Sequence, residues 1–414
     1  MRSVRDYATV TASYWVFTLT DGALRMLVLL FLHEQGYTPL SIASLFLFYE
    51  LFGVITNFVG GWLGARFGLK LTLFAGLFLQ IIACGMLSAD AALLTLPYLF
   101  IAQGLSGVAK DLTKMSSKSY IKLVIPESDS RGLMKWVALL TGSKNTLKGV
   151  GFFLGGILLS SFGLRSSCLA MVALLSTALL GSLILLPKAP GKSESKLSLG
   201  SLIPRDARIN WLSAARLFLF GARDIWFVLA LPIFLASTLG WTHANVGAFL
   251  ALWIIGYGFV QAAAPSFVGK RSGGSGSVAD AGSLVRWTAL LVLPLVAIGA
   301  ALHYELDPAT TLIVGLAVFG ILFAANSAIH SYLIIAYAEG DRVALRVGFY
   351  YMSNALGRLV GTLLSGWIFQ AAGQGQAGLV ACIGASILFV VLSAALCIPL
   401  RRAERKQLAA SATA

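Results

Sequence analysis

Twelve apolar runs govern what this chain can fold into. A helix needs about 20 predominantly apolar residues to cross the hydrocarbon of a bilayer. Runs near that length fall at roughly 11–33, 41–64, 70–89, 93–117, 134–161, 166–187, 209–238, 244–268, 284–303, 309–337, 343–371 and 378–400. Hydrocarbon offers no water to exposed N–H and C=O groups, so a chain that crosses repeatedly closes its backbone hydrogen bonds within helices. Composition agrees: 58% of residues are hydrophobic and 12% charged, against about 25% charged in soluble domains. Mean hydropathy is +0.84. The expected class is an all-α polytopic membrane protein. The first run has no small-residue cleavage site and is long enough to span, so it is expected to remain as the first helix.

Charge in the connecting loops alternates. One set carries Arg2, Arg5, Arg66, Lys70, Lys122, Arg131, Lys135, Lys188, Lys192, Lys196, Arg205, Arg208, Lys270, Arg271, Arg342, Arg401, Arg402, Arg405 and Lys406. The other carries Glu34, Asp90, Glu305 and Asp307, with Arg165 as its single basic residue. The positive-inside rule puts the basic set, and with it both termini, in the cytoplasm. A bacterial inner membrane is the expected location. This asymmetry absorbs most of the net charge of +14, so no nucleic-acid partner is expected.

The longest polar segment, KAPGKSESKLSLGSLIPRDAR at 188–208, divides the chain into halves of six runs each. The expected domains are a six-helix bundle at 1–187, a cytoplasmic linker at 188–208, and a second bundle with a short basic tail at 209–414. Weak internal similarity supports the division. Residues 29–51 resemble 230–255 when the GYT beginning at Gly36 is set against the GWT beginning at Gly240, and a one-residue gap then matches Asp21 with Asp224. Paired six-helix halves are a transporter architecture. Cys84, Cys168, Cys382 and Cys397 are scattered through apolar runs. Their spacing offers neither a metal site nor a disulfide framework, and no cofactor is expected.

Charges lie inside the apolar runs as well. An arginine at bilayer depth costs about 2.5–3.5 kcal/mol on insertion scales, so a retained one is expected to face protein or water. Arg25, Lys110, Lys114, Lys144, Lys148, Arg216, Arg223 and Arg358 fall within or at the ends of runs, against Asp21, Glu50, Asp111 and Asp224. Eight cations against four anions point to an anionic ligand. Lys110, Lys114, Lys118 and Lys122 recur every four residues, a helical stripe that drifts by about 40° per step toward the cytoplasm. With Lys144 and Lys148 this could line a cationic funnel, while Lys118 and Lys122 also suit cytoplasmic anchoring. Asn354 and Arg358 share a face at i,i+4, as do Asn326 and His330, and either pair could contact ligand or serve as interhelical polar glue. Asp21 and Glu50 are the candidate proton carriers. Asp21 and Arg25, four apart, could form a structural pair. Arg223 and Asp224, adjacent on one helix, are expected to point apart.

Two short segments carry a wider resemblance. GWLGARFGLK at 61–70 resembles the loop 2–3 signature of the major facilitator superfamily, with Gly61, Leu63, Arg66, Gly68 and Lys70 matching, while Ala65 replaces an aspartate that latches a gate in that family. GFFLGG at 151–156 resembles a helix-five signature of its antiporters, with Phe152 in place of proline. Longer blocks are more specific. YWVFTLTDGALRML at 14–27, LFLFYELFGVITNFVGGWLGARFGL at 45–69, GLSGVAKDLTKMSSKSYIKLVIPE at 104–127, TGSKNTLKGVGFFLGG at 141–156 and SAARLFLFGARDIWFVLALPIFLAS at 213–237 resemble the ArsJ-type organoarsenical efflux permeases of this superfamily. ALWIIGYGFVQ at 251–261 and NALGRLVGTLLSGWIFQ at 354–370 agree.

That resemblance implies two pseudo-symmetric bundles, twelve membrane helices, and export of 1-arseno-3-phosphoglycerate. This ester forms when a glyceraldehyde-3-phosphate dehydrogenase uses arsenate in place of phosphate, so a functional link to that enzyme is implied. It also implies substrate contacts from Arg25 and Arg223, by analogy with paired arginines in facilitators of organic phosphates. The residues agree with the anion: guanidinium forks suit phosphate and arsenate oxygens, and trivalent arsenic would instead seek clustered thiolates. The expected partners are this small anion and the lipid bilayer, with the chain acting as a monomer. An organophosphate or other organic-anion antiporter would use the same cations. A membrane acyl or phosphoryl transferase would need a nucleophile–base pair or a phosphate loop, and the sequence has no Walker-type motif or H-x-x-x-x-D. A channel would lack saturable kinetics.

Overall fold

A computed structural model describes residues 2–35, 39–126, 128–186, 203–268, 279–338 and 342–412. Helix is the only extended secondary structure among them. The helices are α1 (Arg2–Glu34), α2 (Pro39–Phe67), α3 (Leu69–Leu87), α4 (Leu96–Val124), α5 (Ser130–Leu185), α6 (Ala207–Phe227), α7 (Ala230–Ser237), α8 (His243–Val268), α9 (Ala281–Leu290), α10 (Val292–His303), α11 (Pro308–Tyr337), α12 (Val343–Ala371) and α13 (Gly375–Ala412). They make twelve crossings, because α5 supplies two while α6–α7 and α9–α10 supply one each. Residues 188–202 of the expected linker, Gly36 to Thr38 of the internal match, and Lys270 and Arg271 lie outside the described residues.

The two crossings of α5 part at Gly163, whose φ of 69° interrupts the helix. Packing on α1 shows the reversal. Gly155 meets Ala23, and Ser182 hydrogen-bonds Ser13. A straight helix would hold residues 155 and 182 about 40 Å apart, yet their partners on α1 are about 15 Å apart. The breaks at Leu229 and Leu291 have another cause. Pro232 and Pro294 follow three residues later, and each removes a backbone N–H and clashes with the preceding turn. At the first break the freed Ala230 N–H donates to Ser365 Oγ at 3.2 Å.

Eight helices among the described residues are long and apolar enough to cross a membrane. α4 and α12 fall short of that measure because they carry buried polar side chains, among them Asp111, Lys118, Arg346 and Asn354. Large apolar side chains lie on the outside, including Ile184, Trp367 and Phe162. In water such an exterior would aggregate, whereas in lipid it is the solvated surface. α13 continues to Ala412, so Arg401 to Lys406 extend a helix where the sequence suggests only a tail.

The chain divides into two compact units. One comprises residues 1–129, 140–203 and 338–352; the other comprises 130–139, 204–337 and 353–414. This differs from a single cut at 188–208 by two exchanged segments. The first turns of α12 group with the first unit because Gly348 packs against Asn57 and Gly61 of α2. Within the second unit, Trp226, Trp253, Tyr257, Phe319 and Phe323 form an aromatic core between α6, α8 and α11.

Both units contain the same helix crossing. A Cβ at Gly151 would lie 2.6 Å from the Leu19 carbonyl oxygen, and Gly155 meets Ala23 and Met26. Gly357 meets Leu217, and a Cβ on Gly361 would lie 2.6 Å from the Gly221 oxygen and 3.1 Å from Asp224 Cβ. Each is a small-xxx-small contact that lets backbones touch. Packing therefore accounts for Gly151 and Gly155 of the 151–156 segment. Carried along α1 and α6, this register equates Ala23 with Gly221 and Arg25 with Arg223. It equates Met26, rather than Asp21, with Asp224, so the gapped alignment that pairs the two aspartates is out of step with the packing.

Candidate functional site

In the first unit, α1, α2 and α4 bring a charged cluster together around Tyr49. Arg25 lies 3.9 Å from Asp21 (Nε to Oδ2) and 4.0 Å from Glu50 (a terminal nitrogen to Oε1). Both separations exceed the hydrogen-bond range of about 2.7–3.2 Å. The guanidinium carbon lies 3.9 Å from the Tyr49 ring centroid. Lys110 Nζ lies 3.8 Å from the same centroid. The Tyr49 hydroxyl donates to Asp21 Oδ1 at 2.8 Å.

Next to Lys110 on α4, Asp111 accepts from Lys114 at 2.5 Å and lies 3.7 Å from Lys110. A second tyrosine repeats the arrangement. Tyr351 of α12 has Lys114 and Lys118 at 4.7 and 4.6 Å from its ring centroid, and its hydroxyl also accepts from Lys118. Lys118 donates further to Thr141 Oγ1 at 3.3 Å. On α5, Lys144 lies against Asn145 and Lys148 against the Phe152 ring, both half-buried.

The second unit is organised by Asp224, which is fully buried. Its Oδ1 accepts from Arg223 at 2.7 and 2.5 Å, and its Oδ2 accepts from Arg358 at 3.0 Å. One layer away, Arg216 donates to Asn354 Oδ1 at 2.9 Å and to Ser327 Oγ at 3.1 Å, with its guanidinium 3.8 Å from the Phe220 centroid. Gln261 also donates to Ser327. Asn326 donates to Thr288 at 2.8 Å, which makes it interhelical glue, and His330 is fully buried beside it on α11.

Several sequence expectations change here. Arg223 and Asp224 pair directly although they are neighbours, because the long guanidinium side chain curls back onto the carboxylate. Lys118 is not an exposed cytoplasmic anchor: it is 5% exposed, because α4 runs on to Val124 and Tyr351 covers its ammonium. Tyr49 and Tyr351 were not legible as site residues, since a tyrosine in an apolar run reads as packing. The role of Arg216 is not legible in the sequence, because its partners Asn354 and Ser327 are more than a hundred residues away.

The 61–70 motif divides by role. Gly61 lets α2 approach α12, with a Cβ there 2.8 Å from the Ala344 oxygen. Gly68 adopts φ 93° between α2 and α3. Lys70 donates to the Leu186 and Leu183 carbonyls at 2.6 and 3.4 Å, capping the end of α5, as cations commonly do at helix C-termini. Arg66 is exposed and lies over Trp62 and Phe67. Ala65, in place of the family's aspartate, is buried. Among the described residues, no group of His, Cys, Asp and Glu could hold a metal ion.

Helices with large apolar side chains on the outside and charged side chains within are those of a membrane protein. The chain belongs to the Major Facilitator Superfamily, whose family model matches residues 10–284. Solved structures share its fold. The E. coli fucose:proton symporter FucP is 15% identical, with a TM-score of 0.70 over 95% of this chain and 99% of that one. The human organic anion transporter MFSD10 (TETRAN) is 16% identical, with a TM-score of 0.71 over 94% and 99%. A bacterial homologue of the iron transporter ferroportin is 14% identical, with a TM-score of 0.70 over 95% and 98%. At these identities the likeness is one of fold. No curated protein matches the chain in sequence. The protein is thus a multi-pass membrane transporter and not an enzyme.

Proposed function

We propose that this transporter exports an anionic organoarsenical, 1-arseno-3-phosphoglycerate, and so confers resistance to arsenate. The observation that carries the anion is the excess of cations over acids among the buried and half-buried charges of the apolar runs. Arg25, Lys110, Lys114, Lys118, Lys144 and Lys148 stand against Asp21, Glu50 and Asp111 in the first unit, and Arg216, Arg223 and Arg358 stand against Asp224 in the second. Cations in a low-dielectric setting need compensating charge, and a phosphate and an arsenate group on one small molecule supply it. The arsenical itself rests on the block resemblance to ArsJ-type permeases. In this reading the substrate-binding residues are Arg25, Lys110, Lys114, Lys144 and Lys148 in the first unit and Arg223, Asn354 and Arg358 in the second. Asp21, Glu50, Asp111 and Asp224 set the net charge, and Asp21 and Glu50 are the candidates for coupling. Gly61, Arg66, Gly68 and Lys70 form the cytoplasmic gating element.

The direction follows from electrostatics. An inside-negative potential drives an anion outward by about 2.3 kcal/mol per charge per 100 mV. The protein sits in a bacterial inner membrane with both termini cytoplasmic. It acts as a monomer of two bundles, 1–187 and 209–414, joined at 188–208. A glyceraldehyde-3-phosphate dehydrogenase supplies the substrate and is a metabolic rather than a physical partner. A second reading, an organophosphate or other organic-anion antiporter, is favoured by the same cations, which recognise oxyanions in general. Growth of an arsenate-sensitive bacterial host tests the choice. Resistance is expected only when this chain and an arsenate-accepting dehydrogenase are expressed together. Resistance with the chain alone in a host lacking the dehydrogenase would contradict it.

A further inference from the structure

We infer that Tyr49 is a positioning residue whose ring holds Arg25 and Lys110 together as one oxyanion receptor. The inference rests on the reading of this cluster as the anion site. Arg25 and Lys110 come from different helices and carry like charge, so left to themselves they repel. Yet both lie within 4 Å of one centroid: the guanidinium carbon at 3.9 Å and Nζ at 3.8 Å. The negative face of an aromatic ring attracts cations, most strongly where water is excluded. Tyr49 is fully buried.

The ring is itself fixed at two points. Its hydroxyl donates to Asp21 Oδ1 at 2.8 Å. Its edge lies on Gly107, where a Cβ would come within 3.2 Å of both the ring and the Tyr49 carbonyl oxygen. Gly107 stands one turn before Lys110 on α4, so the turn that presents the lysine also seats the tyrosine. The hydroxyl bond engages one carboxylate oxygen of Asp21, whose other oxygen remains 3.9 Å from Arg25. Tyr49 therefore draws in the cations and holds the acid beyond hydrogen-bond reach of the Arg25 Nε.

The ring and the hydroxyl make separable predictions. Tyr49→Phe and Tyr49→Trp keep an aromatic face, while Tyr49→Leu removes it at similar bulk. Arsenic uptake into everted vesicles would be measured with arsenate, glyceraldehyde-3-phosphate, NAD and the dehydrogenase, using only variants that elute as folded monodisperse protein. The KM of Tyr49→Leu is expected to rise about tenfold, the size of losing a desolvated cation–π contact, with a maximal rate near wild type. Tyr49→Phe and Tyr49→Trp are expected to stay within about threefold of wild type on the same reasoning. Tyr49→Leu and Lys110→Ala should be non-additive, since the ring acts through that lysine.

An unchanged KM in Tyr49→Leu would overturn the inference. So would equal damage in Tyr49→Phe and Tyr49→Leu, which would assign the role to the hydroxyl. Should wild-type vesicles take up no arsenic, the arsenical reading fails on its own. The same variants are then compared for binding of radiolabelled inorganic phosphate and 3-phosphoglycerate to purified full-length protein. Ring-dependent binding there upholds the positioning role, and binding that ignores the ring, or no binding of either anion, overturns it.

Discussion

The two units repeat one helix crossing but treat its charges differently. Gly151 and Gly155 against α1 match Gly357 and Gly361 against α6, and this register places Arg25 and Arg223 at equivalent positions. Their partners differ. Arg25 has its carboxylates at 3.9 and 4.0 Å and an aromatic face at 3.9 Å. Arg223 is bonded to Asp224 at 2.5 Å, and the same carboxylate holds Arg358. A short buried pair spends most of its electrostatic attraction internally. The backbone frame is thus shared, while at the two equivalent arginines the second unit uses a carboxylate and the first a tyrosine ring.

If this contrast is right, the largest stability effect belongs to Asp224. Asp224→Ala leaves two half-buried arginines without their shared carboxylate, a change expected to cost about 3 kcal/mol, the low end for breaking a buried pair. Thermal unfolding of the purified protein in detergent would show it, and an unchanged midpoint would break the comparison. Next come Gly155→Val and Gly361→Val, which overpack the two crossings. Each is expected to cost about 1–3 kcal/mol. Similar losses support the shared frame, and a loss in only one unit argues against it.

Arg25→Lys and Arg223→Lys sharpen the contrast at equal register. Replacing a fork by a point charge at Arg25 should cut uptake by about tenfold with little change in unfolding. At Arg223 the same change should lower stability by about 1 kcal/mol, since it removes hydrogen bonds to Asp224. The reverse pattern would exchange the roles of the two units.

The smallest effect lies outside both clusters. Asp280 caps α9, accepting from Ser283 N at 2.7 Å and from the Ser283 hydroxyl. Burial pushes its carboxyl up, but the Ser283 bonds and nearby Arg286 outweigh this and hold it below the usual value. A depressed folded value stabilises the protein above the unfolded pKa near about 3.9 and loses that contribution as pH falls through the folded one. Asp280→Ala should therefore cost about 1 kcal/mol at neutral pH, and the difference from wild type should shrink below about pH 4. Uptake by this variant is expected to match wild type, which makes it the stability control.

Much of the frame was legible in the sequence because a bilayer imposes length. The runs at 244–268 and 309–337 differ from α8 and α11 by only a residue, and the gap between the runs ending at 161 and starting at 166 contains Gly163. The breaks near Leu229 and Leu291 escaped notice because a kinked crossing has the same apolar length as a straight one. The buried cations stood out as costly charges, and Asp21, Arg25, Glu50 and Lys110 do come together. What the sequence concealed was their pairing. The sharing of Asp224 by Arg223 and Arg358 joins helices 134 residues apart. The burial of Lys118 depends on Tyr351, 233 residues away. Tyr49 and Tyr351 look like ordinary packing residues until the structure places two cations on each ring.

The most direct test is arsenic accumulation in sealed everted vesicles containing this protein, with arsenate alone compared with arsenate plus glyceraldehyde-3-phosphate, NAD and the dehydrogenase. Saturable uptake from the complete mixture only, lost in Arg25→Ala while folding persists, is the predicted result. Equal uptake from arsenate alone, or uptake that survives Arg25→Ala, would contradict the account.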